Sequence, residues 1–181
     1  MPRPLASFVV LALLATVTRP ARAQGDIRLG LGGGITLPVR GYADQVNRGW
    51  LGQGNLAFFP GASASIGFRI DGFYGKNTLS GISGRSSTLG STASLVFQAG
   101  SRRSPNRFYL FGGGGYVRTR TSGPNFGTLS TTSPAITGGA GVSFGSRSFA
   151  LFVEGRYLNV YTDGLKPQLA PIVAGISFGG L

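Results

Sequence analysis

The sequence predicts an all-β chain: an eight-stranded, antiparallel, up-and-down β-barrel that crosses a membrane. Three observations carry that expectation. Eight segments alternate apolar and polar residues with a period of two. Their lengths, about 10 to 12 residues, exceed the ~5–6 of a soluble strand and match the ~9–11 of a membrane-spanning one. Charged residues make up 12% of the chain, about half of the ~25% usual in soluble domains. Such a shortage follows if one face of every strand meets lipid.

The first 23 residues read as an export address. Arg3 gives a positive start, and Leu5 to Val17 form an apolar run of 13 residues, too short to cross a ~30 Å hydrocarbon core as a helix. Ala21-Arg22-Ala23 then makes a small-x-small cleavage site. The expected domains are therefore a signal peptide, 1–23, and a barrel, 24–181. Removing Arg3, Arg19 and Arg22 leaves 14 basic residues against 5 acidic, a net charge of +9. For an exported chain this favours anionic lipid head groups as partners, and no nucleic acid.

The strands follow in order. The first, Ile27 to Thr36, sets Ile27, Leu29, Leu31 and Ile35 against Arg28, the glycines and Thr36. The second, about Trp50 to Phe59, sets Leu56 and Phe58 against Gln53 and Asn55. The third, Ala64 to Tyr74, is the clearest: Ala64, Ile66, Phe68 and Ile70 alternate with Ser65, Gly67, Arg69 and Asp71. The fourth, Thr88 to Gln98, opposes Leu89, Ala93, Leu95 and Phe97 to Thr92, Ser94 and Gln98. The fifth, Arg107 to Arg118, carries aromatics on both faces and fixes no phase. The sixth, Ala135 to Gly145, opposes Ile136, Ala140, Val142 and Phe144 to Thr137 and Ser143. The seventh, Phe149 to Asn159, opposes Leu151, Val153 and Tyr157 to Glu154 and Arg156. The eighth, Leu169 to Phe178, aligns Ile172, Ala174, Ile176 and Phe178.

Connections alternate in length. Leu37–Gly49, Gly75–Ser87 and Thr119–Pro134 are long and Val160–Gln168 moderately long; Pro60–Ser63 and Ser146–Ser148 are short and Ala99–Asn106 intermediate. Transmembrane barrels alternate in this way, with short periplasmic turns and longer outer loops. The apolar faces carry almost no charge, while the opposite faces carry Arg28, Arg69, Asp71, Glu154 and Arg156. A soluble barrel would reverse that polarity, so these faces predict a greasy outside and a polar lumen. Trp50, Phe59, Tyr74, Phe108, Tyr116, Tyr157 and Phe178 stand near strand ends, where interfacial aromatic girdles form.

With its signal peptide, eight alternating strands, alternating loops and apolar last strand (APIVAGISF), the mature chain resembles the small outer-membrane β-barrels of OmpA/OmpX type along its whole length. Members of that family typically end in an aromatic residue; here Phe178 is followed by Gly179-Gly180-Leu181. Pro171 fits poorly inside a strand and is expected near the outer rim. Barrel enzymes that act on lipid A resemble this architecture too, but use a His-containing site.

No enzyme is expected. The chain has no Cys and no His, which removes thiolate chemistry, the commonest general base and the commonest metal ligand. Gly141-Val142-Ser143-Phe144-Gly145 matches G-x-S-x-G, yet that elbow needs a strand-to-helix turn and a His. Gly30 to Gly34 and Gly112 to Gly115 complete no phosphate-binding motif and are read as structural. No cofactor and no metal are expected.

Two groups of residues remain as candidate sites. Arg28, Arg69, Asp71, Glu154 and Arg156 are expected to form a polar network in the lumen, because charges in a narrow interior must be paired. Its role is either a plug or a polar path for small solutes. Arg102, Arg103, Arg107, Arg118 and Arg120 flank turns and loops. They are either solvated charges or contacts to lipopolysaccharide-like lipid phosphates, which Arg grips bidentately. The expected function is a structural or adhesion-like interaction role through the outer loops; the alternative is a narrow, porin-like channel or a binding barrel for small or hydrophobic solutes.

Overall fold

The computed structural model describes residues 25–61, 64–81, 83–99, 106–124, 127–146, 148–162 and 167–179. The expected signal peptide lies outside them, as do Arg102 and Arg103. Eight strands are present among them: β1 (Asp26–Pro38), β2 (Val46–Phe59), β3 (Ile66–Leu79), β4 (Arg85–Ala99), β5 (Asn106–Gly123), β6 (Gly127–Gly145), β7 (Phe149–Val160) and β8 (Gln168–Gly179). A 3-10 turn, Arg40–Tyr42, sits between β1 and β2. Each strand pairs antiparallel with the next, and β8 returns to β1, with Gly175 opposite Gly32. Closure leaves no sheet edge around the barrel, as a β structure in lipid requires.

The period of two settles which way each side chain points. On β3, Ile66, Phe68 and Ile70 are 59%, 61% and 60% exposed, while Arg69 and Asp71 are 5% and 0% exposed. The same outward belt runs around the barrel through Leu31, Leu56, Leu95, Leu110, Ile136, Leu151 and Ile172. A continuous apolar surface of this size is not what a soluble monomer shows to water. The fifth strand resolves as Phe108, Leu110 and Tyr116 outward, with Arg107, Phe111 and Val117 inward.

Aromatics mark both limits of the belt. Trp50, Tyr74, Tyr116 and Tyr157 are exposed at one level; Phe108, Phe149 and Phe178 are exposed at the other. On β5 the two levels are eight residues apart, about 27 Å along the strand. At a tilt of ~40° this is about 20 Å of height, close to the ~25 Å apolar band of such barrels. Phe59 is the exception among the expected girdle residues. It is buried in the lumen, where the Arg28 guanidinium lies 4.9 Å from its ring centroid.

Two of the expected long loops are strands. Most of 75–87 belongs to β3 and β4, and most of 119–134 to β5 and β6, which reach 18 and 19 residues. Gly127 to Thr132 are exposed on both faces. No apolar alternation marks such a segment, since both sides are solvated; backbone pairing from Ser122–Thr128 down to Tyr116–Pro134 holds it extended. β7 pairs with β6 only from Ala135 upward in sequence, so among the described residues Gly127–Pro134 of β6 has no β7 partner. Pro171 lies inside β8 opposite Thr36 near the long-hairpin end, buried rather than at an edge.

Candidate functional site

The lumen holds a charged network between two apolar layers. Asp71 on β3 and Glu154 on β7 are its anions, and Arg69 and Arg156 its cations. The strand register brings them together: Arg69 and Asp71 share the inward face of β3, as Glu154 and Arg156 share that of β7. Arg69 donates to Asp71 through Nε and Nη2 (2.9 and 2.6 Å) and to Glu154 through Nη1 and Nη2 (2.5 and 3.1 Å). Arg156 Nη2 donates to Asp71 at 2.8 Å and to Glu154 at 3.0 Å. Gln53 Nε2 and the Tyr109 hydroxyl add donors to Glu154 at 3.2 and 3.0 Å. Both carboxylates are fully enclosed.

The charges cancel within the network, which is the condition for burying four of them. The Phe111 ring packs against both guanidiniums, its centroid 4.7 Å from Arg69 and 5.2 Å from Arg156. Tyr109 and Gln53 are partners that the sequence left without a role. The phase of β5 could not be read, so Tyr109 had no assigned face.

Arg28 stands apart from this group. It pairs with Asp26 (Nε at 3.0 Å) and donates to Gln98 Oε1 at 2.7 Å, toward the end of the barrel where β1 begins. Between Arg28 and Arg69 lies a cavity of about 60 Å³ lined by Arg28, Asn55, Gln98, Tyr109, Ser143 and Ser177. That volume fits about two water molecules at ~30 Å³ each.

The polar lumen expected from the sequence occupies only part of the barrel. Toward the long-hairpin end the interior is apolar: Val46, Leu51, Phe73, Val117, Leu158, Val160, Leu169 and Val173 pack together. Tyr42, from the 3-10 turn, closes this layer and is 4% exposed. Its hydroxyl bonds with Ser86 Oγ at 3.3 Å, and burial raises its pKa above the ordinary tyrosine value, the Ser86 bond opposing in part. A second apolar cluster, Ala57, Phe59, Val96 and Phe111, lies at the other end. The barrel is too narrow for a water-filled bore, so inward side chains fill it.

The rim arginines do not form one group. Arg107 faces inward, is 9% exposed and donates to the Ser146 carbonyl at 3.0 Å. As the inward residue before Phe108, it cannot meet lipid phosphate. Arg118 and Arg120 are exposed on the outward face of β5 at the opposite end, and Arg118 Nε donates to Ser130 Oγ at 2.9 Å. Ser143 lies within β6, paired with Arg107 and Phe152, so G-x-S-x-G is plain strand with no elbow. Among the described residues, no three of Asp, Glu, His and Cys group as a metal site.

No protein-family model matches the sequence, and no curated protein is significantly similar to it. Solved structures do match. Neisserial surface protein A (NspA) superposes with a TM-score of 0.63 at 14% identity, over 86% of this chain and 96% of that one. A major outer membrane protein from Thermus thermophilus gives 0.59 at 10% identity, over 85% and 99%. Ail, the attachment invasion locus protein of Yersinia pestis, gives 0.50 at 18% identity, over 85% and 97%. At these identities the likeness is one of fold: the chain is an eight-stranded, closed, up-and-down β-barrel of the kind found in small outer-membrane proteins.

Proposed function

We propose that this protein is a plugged outer-membrane barrel, exported by its N-terminal signal segment, that acts as an interaction or adhesion-like surface through its long hairpins and not as a pore or an enzyme. The observation that carries this reading is the contrast between the closed lumen and the tall hairpin above it. The lumen holds a neutralised ion network and an apolar layer capped by Tyr42, and the cavity between Arg28 and Arg69 measures about 60 Å³. The β5–β6 hairpin, by contrast, carries eight β6 residues, Gly127–Pro134, past the last β7 pair, about 26 Å of extended strand.

That projecting segment (GTLSTTSP) is uncharged and rich in Thr and Ser. An uncharged strand of this kind, whose Gly127–Ser133 edge has no β7 partner among the described residues, suits a protein partner that adds a strand of its own. The solved barrels with this fold include the attachment invasion locus protein of Yersinia pestis, which agrees with such a role. The basic excess of the chain suits anionic lipids around the barrel.

Planar-bilayer recording of the refolded protein tests the plug: no steady unitary current is expected. An epitope inserted between Pro124 and Gly127 should be reached by antibody on intact cells. A reproducible unitary conductance, or an epitope seen only after lysis, would overturn the reading.

A further inference from the structure

We propose that the edge of β6 beyond the last β7 pair joins the same edge of a second copy of this chain, held in a facing membrane. This rests on the interaction reading above and names its partner. The Pro134 carbonyl accepts from the Tyr161 N–H, so on the side away from β5 the edge of β6 belongs to the even-numbered residues. The N–H and C=O of alternate residues in a regular strand point the same way. Thr128, Ser130 and Thr132 therefore turn theirs toward that edge, while Gly127, Leu129, Thr131 and Ser133 turn theirs toward β5 along an unshifted ladder. The connection 161–167 must go out and come back, because the Val160 N–H bonds to the Pro167 carbonyl. Its length lets it reach about 12 Å at most, short of the tip of a segment about 26 Å long.

The composition of this edge favours a second copy. Proteins blunt exposed edges with charges, Pro or bulges, and Gly127 to Ser133 carry no charge and no Pro, with no bulge in their pairing to β5. A charged edge would meet its own charge across a two-fold axis; this one meets none. Centred on Ser130, an antiparallel pair sets Ser130 against itself, Thr128 against Thr132 and Leu129 against Thr131. Threonines directly opposite each other are favourable cross-strand neighbours. Leu129, 63% exposed, gains the Thr131 methyl of the other copy. Arg118 and Arg120 stay one strand back on β5. The two β5 strands stand three strand intervals apart, about 14 Å, beyond the ~8 Å over which physiological salt leaves charges unscreened.

Symmetry then fixes the direction. Two identical edges satisfy each other equally under a two-fold axis perpendicular to the strands, which makes the pair antiparallel. A two-fold along the strands would set N–H against N–H. The perpendicular axis reverses every direction in the sheet, the barrel axis included, so the second barrel points the opposite way. Barrels in one bilayer all point the same way and cannot pair like this; barrels in two facing bilayers can. One such strand pair is short and weak, and many copies on two apposed surfaces hold through avidity. At a strand tilt of ~40° the hairpin stands about 20 Å above the belt, which sets the gap between the bilayers.

The test mixes two dye-labelled populations of phosphatidylcholine vesicles carrying the refolded protein, with protein-free vesicles as a third, and counts two-colour particles. Heat-modifiable migration shows that each variant has formed its barrel. Wild-type vesicles should join one another and not the protein-free ones, as well at ~0.5 M salt as at ~0.1 M. Electron cryomicroscopy should show a gap of about 20 Å between joined bilayers. Ser130→Pro removes an N–H from the free edge and none from the β5 ladder, and should cut joining at least about tenfold; Ser130→Ala should leave it unchanged. Ser130→Lys vesicles and Ser130→Glu vesicles should each fail to join their own kind and should join each other at low salt. Folded wild-type vesicles that stay apart, that join protein-free vesicles equally, or that still join when Ser130→Pro is present overturn the self-pairing alone. The plugged-barrel and surface reading is overturned separately, by a unitary conductance or by an epitope reached only after lysis.

Discussion

Replacing Glu154 by Gln leaves two guanidiniums facing one carboxylate in a sealed lumen. Glu154 accepts from Arg69 Nη1 and Nη2, Arg156 Nη2, Gln53 and Tyr109. Gln keeps the shape and one acceptor oxygen, so packing changes little and the perturbation is mainly one unit of charge. Stranding a buried charge costs about 3–5 kcal/mol; with Asp71 still bonded to both arginines, about 3 kcal/mol is expected, the low end of that range. The assay is reversible urea unfolding in lipid vesicles, followed by heat-modifiable migration. A second variant, Glu154→Gln/Arg156→Met, restores neutrality and leaves the Arg69–Asp71 pair intact. It should be more stable than Glu154→Gln alone, although it removes more native contacts. If Glu154→Gln lies within about 1 kcal/mol of wild type, or the double variant is the weaker by the sum of both single effects, the charge-balance argument is wrong.

Further outcomes follow from other parts of the barrel. Ile70→Arg, on the outward face of β3 and 60% exposed, should cost about 2–4 kcal/mol in a bilayer; a neutral effect would mean that this face meets water. Gly113→Ala should destabilise strongly, because a Cβ there would overlap the Ala93 carbonyl oxygen on β4, whereas Gly112→Ala has 3.8 Å to its nearest neighbour and should be tolerated; equal urea midpoints for the two would refute the packing. Burial raises the pKa of Tyr42, so its contribution is complete below the unfolded pKa of about 10 and is lost as pH rises above it. Unfolding midpoints measured from pH ~9 to ~11.5 should therefore fall more steeply for wild type than for Tyr42→Phe.

The sequence by itself determined the strand count, the barrel and the direction of most side chains. It could do so because alternation is a local property: residues two apart share a face whatever the rest of the chain does. Arg69 with Asp71, and Glu154 with Arg156, were legible as inward pairs for that reason. Only the tertiary structure decided what those pairs meet. The cross-links Arg69–Glu154 and Arg156–Asp71 span 85 residues and depend on the register of eight strands. The same holds for Phe59, whose place at a strand end suggested the membrane interface but whose parity sends it under Arg28. Arg107 is the same kind of case, one position off the outward face. The tall hairpins were hidden for a different reason. With water on both sides, Gly127 to Thr132 carry no alternation to read, and backbone pairing alone keeps them extended. The apolar plug escaped because Leu158, Val160 and Leu169 look like ordinary strand residues until closure turns them toward one axis, where a narrow barrel has no room for water.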